Sequence, residues 1–285
     1  MEIFKYNTLK IFLEKKTKAI FIHLNREQHN KKNLINVETI FELESILSWT
    51  AQHLEINTII LQGQDDFFSK GFDLTEFSKL PEKRFQNILE KFQKVIYSMF
   101  FLPQTIIANL QGGSNGAGLE LAIGADIRIA NTKNNINFNH LEKATIPTCG
   151  GVGFLTQLIP SSYTRNWFLY PHSITNENLL GSGYIHSFYK ANEEQTFINT
   201  ILENISKQAP IPRIQTKRSL LESILPELER TLTFEKKFAY AGMALKDWRR
   251  QLEAHENDEC PSFMKARDLG TLLKKERVEG DKDIH

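Results

Sequence analysis

Eight of the fifteen glycines in this 285-residue chain lie between Gly112 and Gly153. Glycine gathers where a backbone takes dihedrals closed to other residues or comes close to a ligand. The densest group is Gln111-Gly112-Gly113-Ser114-Asn115-Gly116-Ala117-Gly118. It follows the apolar run TIIANL (105–110) and leads into LELAIG. A strand that turns through glycines into a helix leaves free N–H groups pointing outward at the helix start. Tight turns alone would also account for glycines, but the strand–turn–helix setting makes this stretch a candidate site.

The flanking sequence continues the alternation. LKIFLEK and KAIFIHL predict a hairpin within the first 24 residues, turning at Lys15, Lys16 and Thr17. Val37, Ile40, Phe41, Ile46 and Leu47 share one face of a predicted helix. NTIILQG (57–63) reads as a buried strand. Over 82–102 an apolar stripe from Phe85 to Phe100 predicts a helix that Pro103 stops. TIIANL and DIRIA (126–130) are further strands, with GAGLELAIG as the helix between them. Strands alternating with helices predict a layered α/β architecture with parallel strands. From about Ser161 the strand signal fades, and helices are expected over 196–208, 213–224, 227–250 and 262–277, separated by prolines 210, 212, 226 and 261. The chain therefore divides into an α/β core, 1–195, and a helical region, 196–285, with VEGDKDIH as a frayed end.

Composition narrows the function. Hydrophobic residues make up 41% and charged residues 24%, enough to bury a core and too much for a disordered chain. Thirty-five Lys and Arg against 34 Asp and Glu leave a charge of +1, which argues against nucleic acid as the main partner. No apolar run reaches the roughly 18 residues of a membrane span. MEIFKYNTLK lacks the apolar stretch of a secretory signal, so a cytoplasmic location is expected. Cys149 and Cys260 are too few for a disulfide framework or a self-sufficient zinc site. His23, His29, His172 and His186 lack metal-ligand spacing, and no metal is expected.

Known motifs discriminate further. No Lys-Ser or Lys-Thr follows the glycines, which excludes a phosphate loop, and Leu121 stands where a dinucleotide fingerprint needs its last glycine. Gly112-Gly113-Ser114-Asn115-Gly116 fits a nucleophile elbow, so Ser114 could serve a serine esterase. Its weakness is the missing partner, since His255 lies in a charged helical segment and His285 is the last residue. Glu120 follows Gly116 by one helical turn within the apolar LELAIG. A carboxyl packed beside core is a usable general acid or base, whereas an exposed helix glutamate is the plainer alternative.

LQGGSNGAGLELAIGADIRIA resembles the signature of the enoyl-CoA hydratase/isomerase, or crotonase, family. Three other segments support the likeness in the right order. Phe68-Ser69-Lys70-Gly71-Phe72-Asp73-Leu74 is similar to the family's F-x-A-G-A-D-L loop, and Ile146-Pro147-Thr148-Cys149-Gly150-Gly151 to its I-P-G-x-G-G turn. Ile174-Thr175 with Gly183 fits a later pattern. The likeness spans roughly residues 18–190 and extends more loosely into the helical tail.

The resemblance implies a crotonase fold of repeated ββα units with a helical C-terminal region, assembled as a homotrimer or a pair of trimers. It implies an acyl-CoA thioester substrate and no cofactor beyond the coenzyme A which that substrate carries. An enolate or related oxyanion would be held by the N–H groups of Phe72 and Ala117, with Gly71, Asp73 and Gly116 shaping the substrate site. Phe72 and Ala117 replace an alanine and a glycine, which leaves both N–H groups intact. Lys70, where the family has alanine, would reach a CoA phosphate or point to water. Arg26 matches a basic CoA-contacting position and is otherwise a plain surface arginine.

Glu120 corresponds to the first of two glutamates that hydratases use around a water molecule. Counting without gaps, the second position falls on His140; a two-residue slip gives Glu142 instead. The gapless count fits both flanks, so His140 is the expected second acid/base, and histidine exchanges protons near neutral pH. Hydration of a 2-enoyl-CoA is the first expectation. Isomerisation, decarboxylation or thioester hydrolysis on the same oxyanion hole, and a catalytically decayed ligand-binding protein, are the alternatives. Cys149 is expected to be a packed thiol. Phe234, Phe238 and Tyr240 are expected in core or subunit contacts, and Lys31-Lys32, Arg249-Arg250 and Lys274-Lys275 on solvated faces.

Overall fold

A computed structural model describes residues 4–26, 32–244 and 246–263. β1 (Leu9–Glu14) and β2 (Ala19–Leu24) form the expected antiparallel hairpin, with Leu9 opposite Leu24. Asn36 then caps α1 (Val37–Gln52), its side-chain oxygen accepting from the Thr39 N–H. β3 (Thr58–Gly63), α2 (Leu74–Phe77) and α3 (Glu82–Phe101) follow. Next come β4 (Thr105–Asn109), β5 (Gly113–Asn115) and α4 (Ala117–Ile123), then β6 (Ile127–Asn131), β7 (Asn135–Asn137) and α5 (Gly151–Leu158). The chain continues through α6 (Ser161–Leu169), α7 (Asn176–Gly181) and β8 (Ser187–Tyr189). The helical region comprises α8 (Glu194–Ser206), α9 (Pro210–Glu222), α10 (Leu225–Ala244) and α11 (Asp247–Glu256).

The main sheet has the order β1-β2-β3-β4-β6-β8, and every pair after the hairpin is parallel. Both faces are covered, which is why its strands read as unbroken apolar runs. Ile59, Ile106 and Ala108 join the core that includes Phe92 and Ile96 of α3. Their neighbours Ile60, Ile107 and Ile129 point the other way, into a cluster with Ile198, Leu202 and Ile205 of α8.

A second, smaller β layer sets the site. β5 pairs parallel with β7, and single bridges join Ser69 to Ser114 and Ile35 to Phe72. Each of β3, β4 and β6 thus runs into a short extended segment and then a helix. This is the repeated ββα unit of the crotonase fold. Those segments are polar and glycine-rich, so β5 and β7 carry little apolar alternation from which a strand could be read.

Three expectations for the helical region change. Pro210 and Pro212 open α9 rather than separating two helices, because an N–H in the first turn has no intrahelical acceptor to lose. Pro226 lies in the first turn of α10 for the same reason. The helix expected over 227–250 is two helices, α10 and α11, with Lys246 in the left-handed region at φ 60°. The helix expected over 262–277 and the segment VEGDKDIH lie outside the described residues, apart from Ser262 and Phe263. No helix among the described residues is long and apolar enough to cross a membrane.

Candidate active site

Two glycine turns bring the predicted N–H donors to one cavity. Gly71 (φ 88°) and Gly116 (φ 49°) both lie in the left-handed half of dihedral space. A Cβ on Gly71 would also come within 2.9 Å of the Asn115 carbonyl and 3.2 Å of the Ala117 nitrogen. The loop and the start of α4 therefore touch backbone to backbone. Around Phe72, the Ile35 N–H donates to the Gly71 carbonyl and the Asp73 N–H to the Ile35 carbonyl, at 2.8 and 2.9 Å. That alternation turns the Phe72 N–H to the opposite edge. Ala117 is the first residue of α4, so its N–H has no intrahelical acceptor. Gly71, Phe72, Gly116 and Ala117 all line the cavity.

Glu120 lies one turn into α4, is 1% exposed and forms part of the same wall. Its Oε1 accepts the N–H groups of Thr148, Cys149 and Gly151 at 3.1, 2.9 and 3.0 Å. These belong to the glycine turn that starts α5, where a helix N-terminus favours an anion. With Oε1 so fully occupied, Oε2 is the oxygen left to carry a proton. It stands 3.2 Å from Nε2 of His140.

His140 is also buried, beside the rings of Phe138 and Phe168. Its carbonyl is tied down by the Thr145 N–H and hydroxyl at 2.9 and 3.0 Å. Among the described residues, its Nδ1 has no hydrogen-bond partner. The Glu120–His140 contact sets a carboxyl oxygen against an imidazole nitrogen inside a cavity whose other walls include Leu74, Phe85 and Leu89.

The structure sorts the remaining candidates. Glu142 is exposed, accepts only a 3.4 Å bond from the Asn137 amide and does not line the cavity. His140, not Glu142, faces Glu120. Arg26 and Asp73 meet each other, Nη1 to Oδ2 at 3.0 Å. Asp73 also caps α2 by accepting the Glu76 N–H, and Arg26 donates to the Leu34 carbonyl. Neither lines the cavity. Lys70 is exposed, and its carbonyl lies 3.4 Å from the ammonium of Lys143, which does line the cavity. Burial first and Lys70 second hold the Lys143 ammonium below its usual range, with Glu142 opposing.

Ser114 is fully buried in β5 and donates to the Ser69 carbonyl at 3.0 Å. With its hydroxyl so occupied and no histidine bonded to it among the described residues, the elbow motif has no triad. Cys149 is buried, and desolvation followed by the nearby Glu120 carboxyl pushes its thiol well up, as befits a packed cysteine. Phe234 and Phe238 are exposed, whereas Tyr240 is half-buried and bonds Glu90. His29, Lys31, Lys274, Lys275 and His285 lie outside the described residues.

The helical region supplies walls that the sequence reading missed. Ala239 and Gly242 of α10 and Trp248 of α11 close the cavity, and a Cβ on Gly242 would meet the Ile146 side chain at 3.2 Å. Trp248 stands beside Arg249-Arg250, and its position had no apolar neighbourhood to mark it.

The chain is similar to known proteins over most of its length. The short-chain-enoyl-CoA hydratase of Clostridium acetobutylicum is 24% identical over 228 residues, 79% of this chain and 86% of that protein. The peroxisomal Delta(3,5)-Delta(2,4)-dienoyl-CoA isomerase of Arabidopsis thaliana is 21% identical over 278 residues, 93% of this chain and all of that protein. The crystal structure of an enoyl-CoA hydratase from Mycobacterium avium subsp. paratuberculosis shares the fold with a TM-score of 0.81 at 17% identity, covering 92% of this chain and all of that one. The model of the enoyl-CoA hydratase/isomerase family matches residues 14–265, and the chain belongs to that family.

Proposed function

We propose that this protein adds water across the 2,3-double bond of an enoyl-CoA thioester. The observation that carries the reading is the buried Glu120 carboxyl on the wall of the cavity shared by Phe72 and Ala117. The thioester carbonyl accepts the Phe72 and Ala117 N–H groups, which hold the negative charge that develops when the bond polarises. Each such donor contributes a factor of about 10²–10³ in rate. Water's oxygen bonds to C3, its proton passes to the Glu120–His140 pair, and the pair returns a proton to C2. Atoms and charge balance, and the thioester stays intact. Lys143 on the cavity wall and the exposed Lys70 beside it are the cations for the CoA phosphates.

A second reading is double-bond isomerisation, which needs one proton moved between carbons and no water. The direct contact between Glu120 and His140 favours it, because it leaves no gap between the two groups for a water molecule. Crotonyl-CoA separates the readings: loss of the conjugated enoyl-thioester absorbance reports hydration, whereas an isomerase creates that absorbance from a 3-enoyl-CoA.

A further inference from the structure

Glu235 takes no part in the chemistry above, yet it reaches the same turn as Glu120. It lies on α10 in a stripe formed by Leu228, Leu232, Glu235, Ala239 and Gly242. The first four are buried, and the last two line the cavity. Its Oε1 accepts the Gly150 N–H and its Oε2 the Gly153 N–H, both at 2.8 Å. The N–H groups of Thr148, Cys149 and Gly151 hold Glu120. One turn of backbone thus presents five donors to two carboxyl groups, one from the core and one from the helical region.

The crowding is electrostatic as well as geometric. Burial, then the Glu120 carboxyl, pushes Glu235 up to about 8 against the pull of its backbone donors. The titratable groups near it are Glu120 on α4, the Cys149 thiol in the turn, and His140 beyond Glu120. On the α3 side, Glu90 is already engaged by Lys236 and Tyr240 of α10. The upward direction lessens the negative charge that the turn has to share between the two carboxyl groups.

We infer that Glu235 is a positioning residue for the reaction: by clamping Gly150 and Gly153 it fixes the turn that aims Glu120, and it seats α10 where Ala239 and Gly242 close the cavity. Acyl-pocket closure and orientation of the acid/base carboxyl then depend on one side chain of the helical region. This rests on the reading of Glu120 as the acid/base group. The other part, the clamp itself, stands without it.

The test compares Glu235→Gln and Glu235→Ala in the full chain by two readouts. In ligand-free protein near neutral pH, amide exchange across 148–153 is slow in wild type and faster by about tenfold or more in Glu235→Ala; Glu235→Gln, whose single carbonyl oxygen accepts one of the two N–H groups, falls between them. With an enoyl-CoA, Glu235→Ala loses about tenfold or more in kcat, while Glu235→Gln, which keeps one of the two clamp bonds, loses less. Wild-type kcat declines above about pH 8 as Glu235 ionises beside Glu120, and Glu235→Gln lacks that decline. Wild-type exchange rates in Glu235→Ala would overturn the clamp. A full pH decline retained in Glu235→Gln, or equal kcat losses in both variants, would overturn the positioning role. If Glu235→Ala does not fold, the Glu235→Gln profile decides alone. If wild type turns over no enoyl-CoA, the proposed reaction fails and the exchange readout still judges the clamp.

Discussion

Gly151 and Glu120 are fitted to each other across the start of α5. The Gly151 N–H meets Oε1 at 3.0 Å, and a Cβ on Gly151 would approach the same oxygen to 2.7 Å. The turn must therefore be glycine both to hold the carboxyl and to leave room for it. Pro147 closes the other side at 2.9 Å, so a Cβ there forces a neighbour to shift.

Gly151→Ala should displace the Glu120 carboxyl while leaving the sheet intact. We expect kcat to fall by about tenfold to a hundredfold with an unchanged circular dichroism spectrum, because small misplacements of an acid/base group cost rates of that order. Wild-type kcat in this variant would show that Glu120 is not held by the turn during turnover.

His140→Ala removes the partner of Oε2 and should lower kcat by about 10²–10⁴, the usual worth of a positioned proton-transfer group. Glu142→Gln, altering an exposed side chain outside the cavity, should keep kcat within about twofold. Steady-state kinetics on both variants check the register of the second acid/base residue; the opposite pattern would restore Glu142.

Arg26→Ala removes one cationic partner from Asp73, which is 3% exposed. Removing one partner of a buried ion pair costs about 3–5 kcal/mol, and Arg26, slightly open to solvent, belongs at or below the lower end. Urea denaturation should show a loss of about 2–3 kcal/mol, while KM for the CoA substrate of the surviving folded protein stays within about twofold. A large rise in KM without loss of stability would return Arg26 to the substrate site.

His23 gives a pH signature of folding. Burial, then Lys10, lowers it to about 4, so the native state favours neutral imidazole. In the unfolded chain the group titrates near 6.5. Its contribution is complete above about 6.5 and is lost as pH falls towards 4, because the unfolded chain binds the proton first. Thermal melts of wild type and His23→Gln should therefore converge as pH falls through this window. Parallel melting curves would count against the buried, neutral histidine.

The parts of the site legible in the sequence are those that are contiguous along the chain. Gly116, Ala117 and Glu120 follow one another on one strand–turn–helix, and Gly71-Phe72 is a short loop, so the motifs that carry the family resemblance locate them. His140 is legible only through its fixed distance from Glu120. The walls from α10 and α11 are different. Which face of α10 turns inward is decided by packing against α5, and the inward stripe contains a glutamate, an alanine and a glycine. The outward face carries Phe234 and Phe238, so hydrophobicity points the wrong way. The pairing of Arg26 with the buried Asp73 is not legible either, because a motif position shows a cation near the site but not what engages it.

The central claim is that Glu120 moves a proton on an enoyl-thioester. Following the conjugated absorbance of crotonyl-CoA with wild type and Glu120→Gln tests it most directly. The account predicts loss of absorbance with wild type and a rate lower by about 10²–10⁴ with Glu120→Gln. Equal rates in the two proteins would contradict it, as would no reaction by wild type with either crotonyl-CoA or a 3-enoyl-CoA.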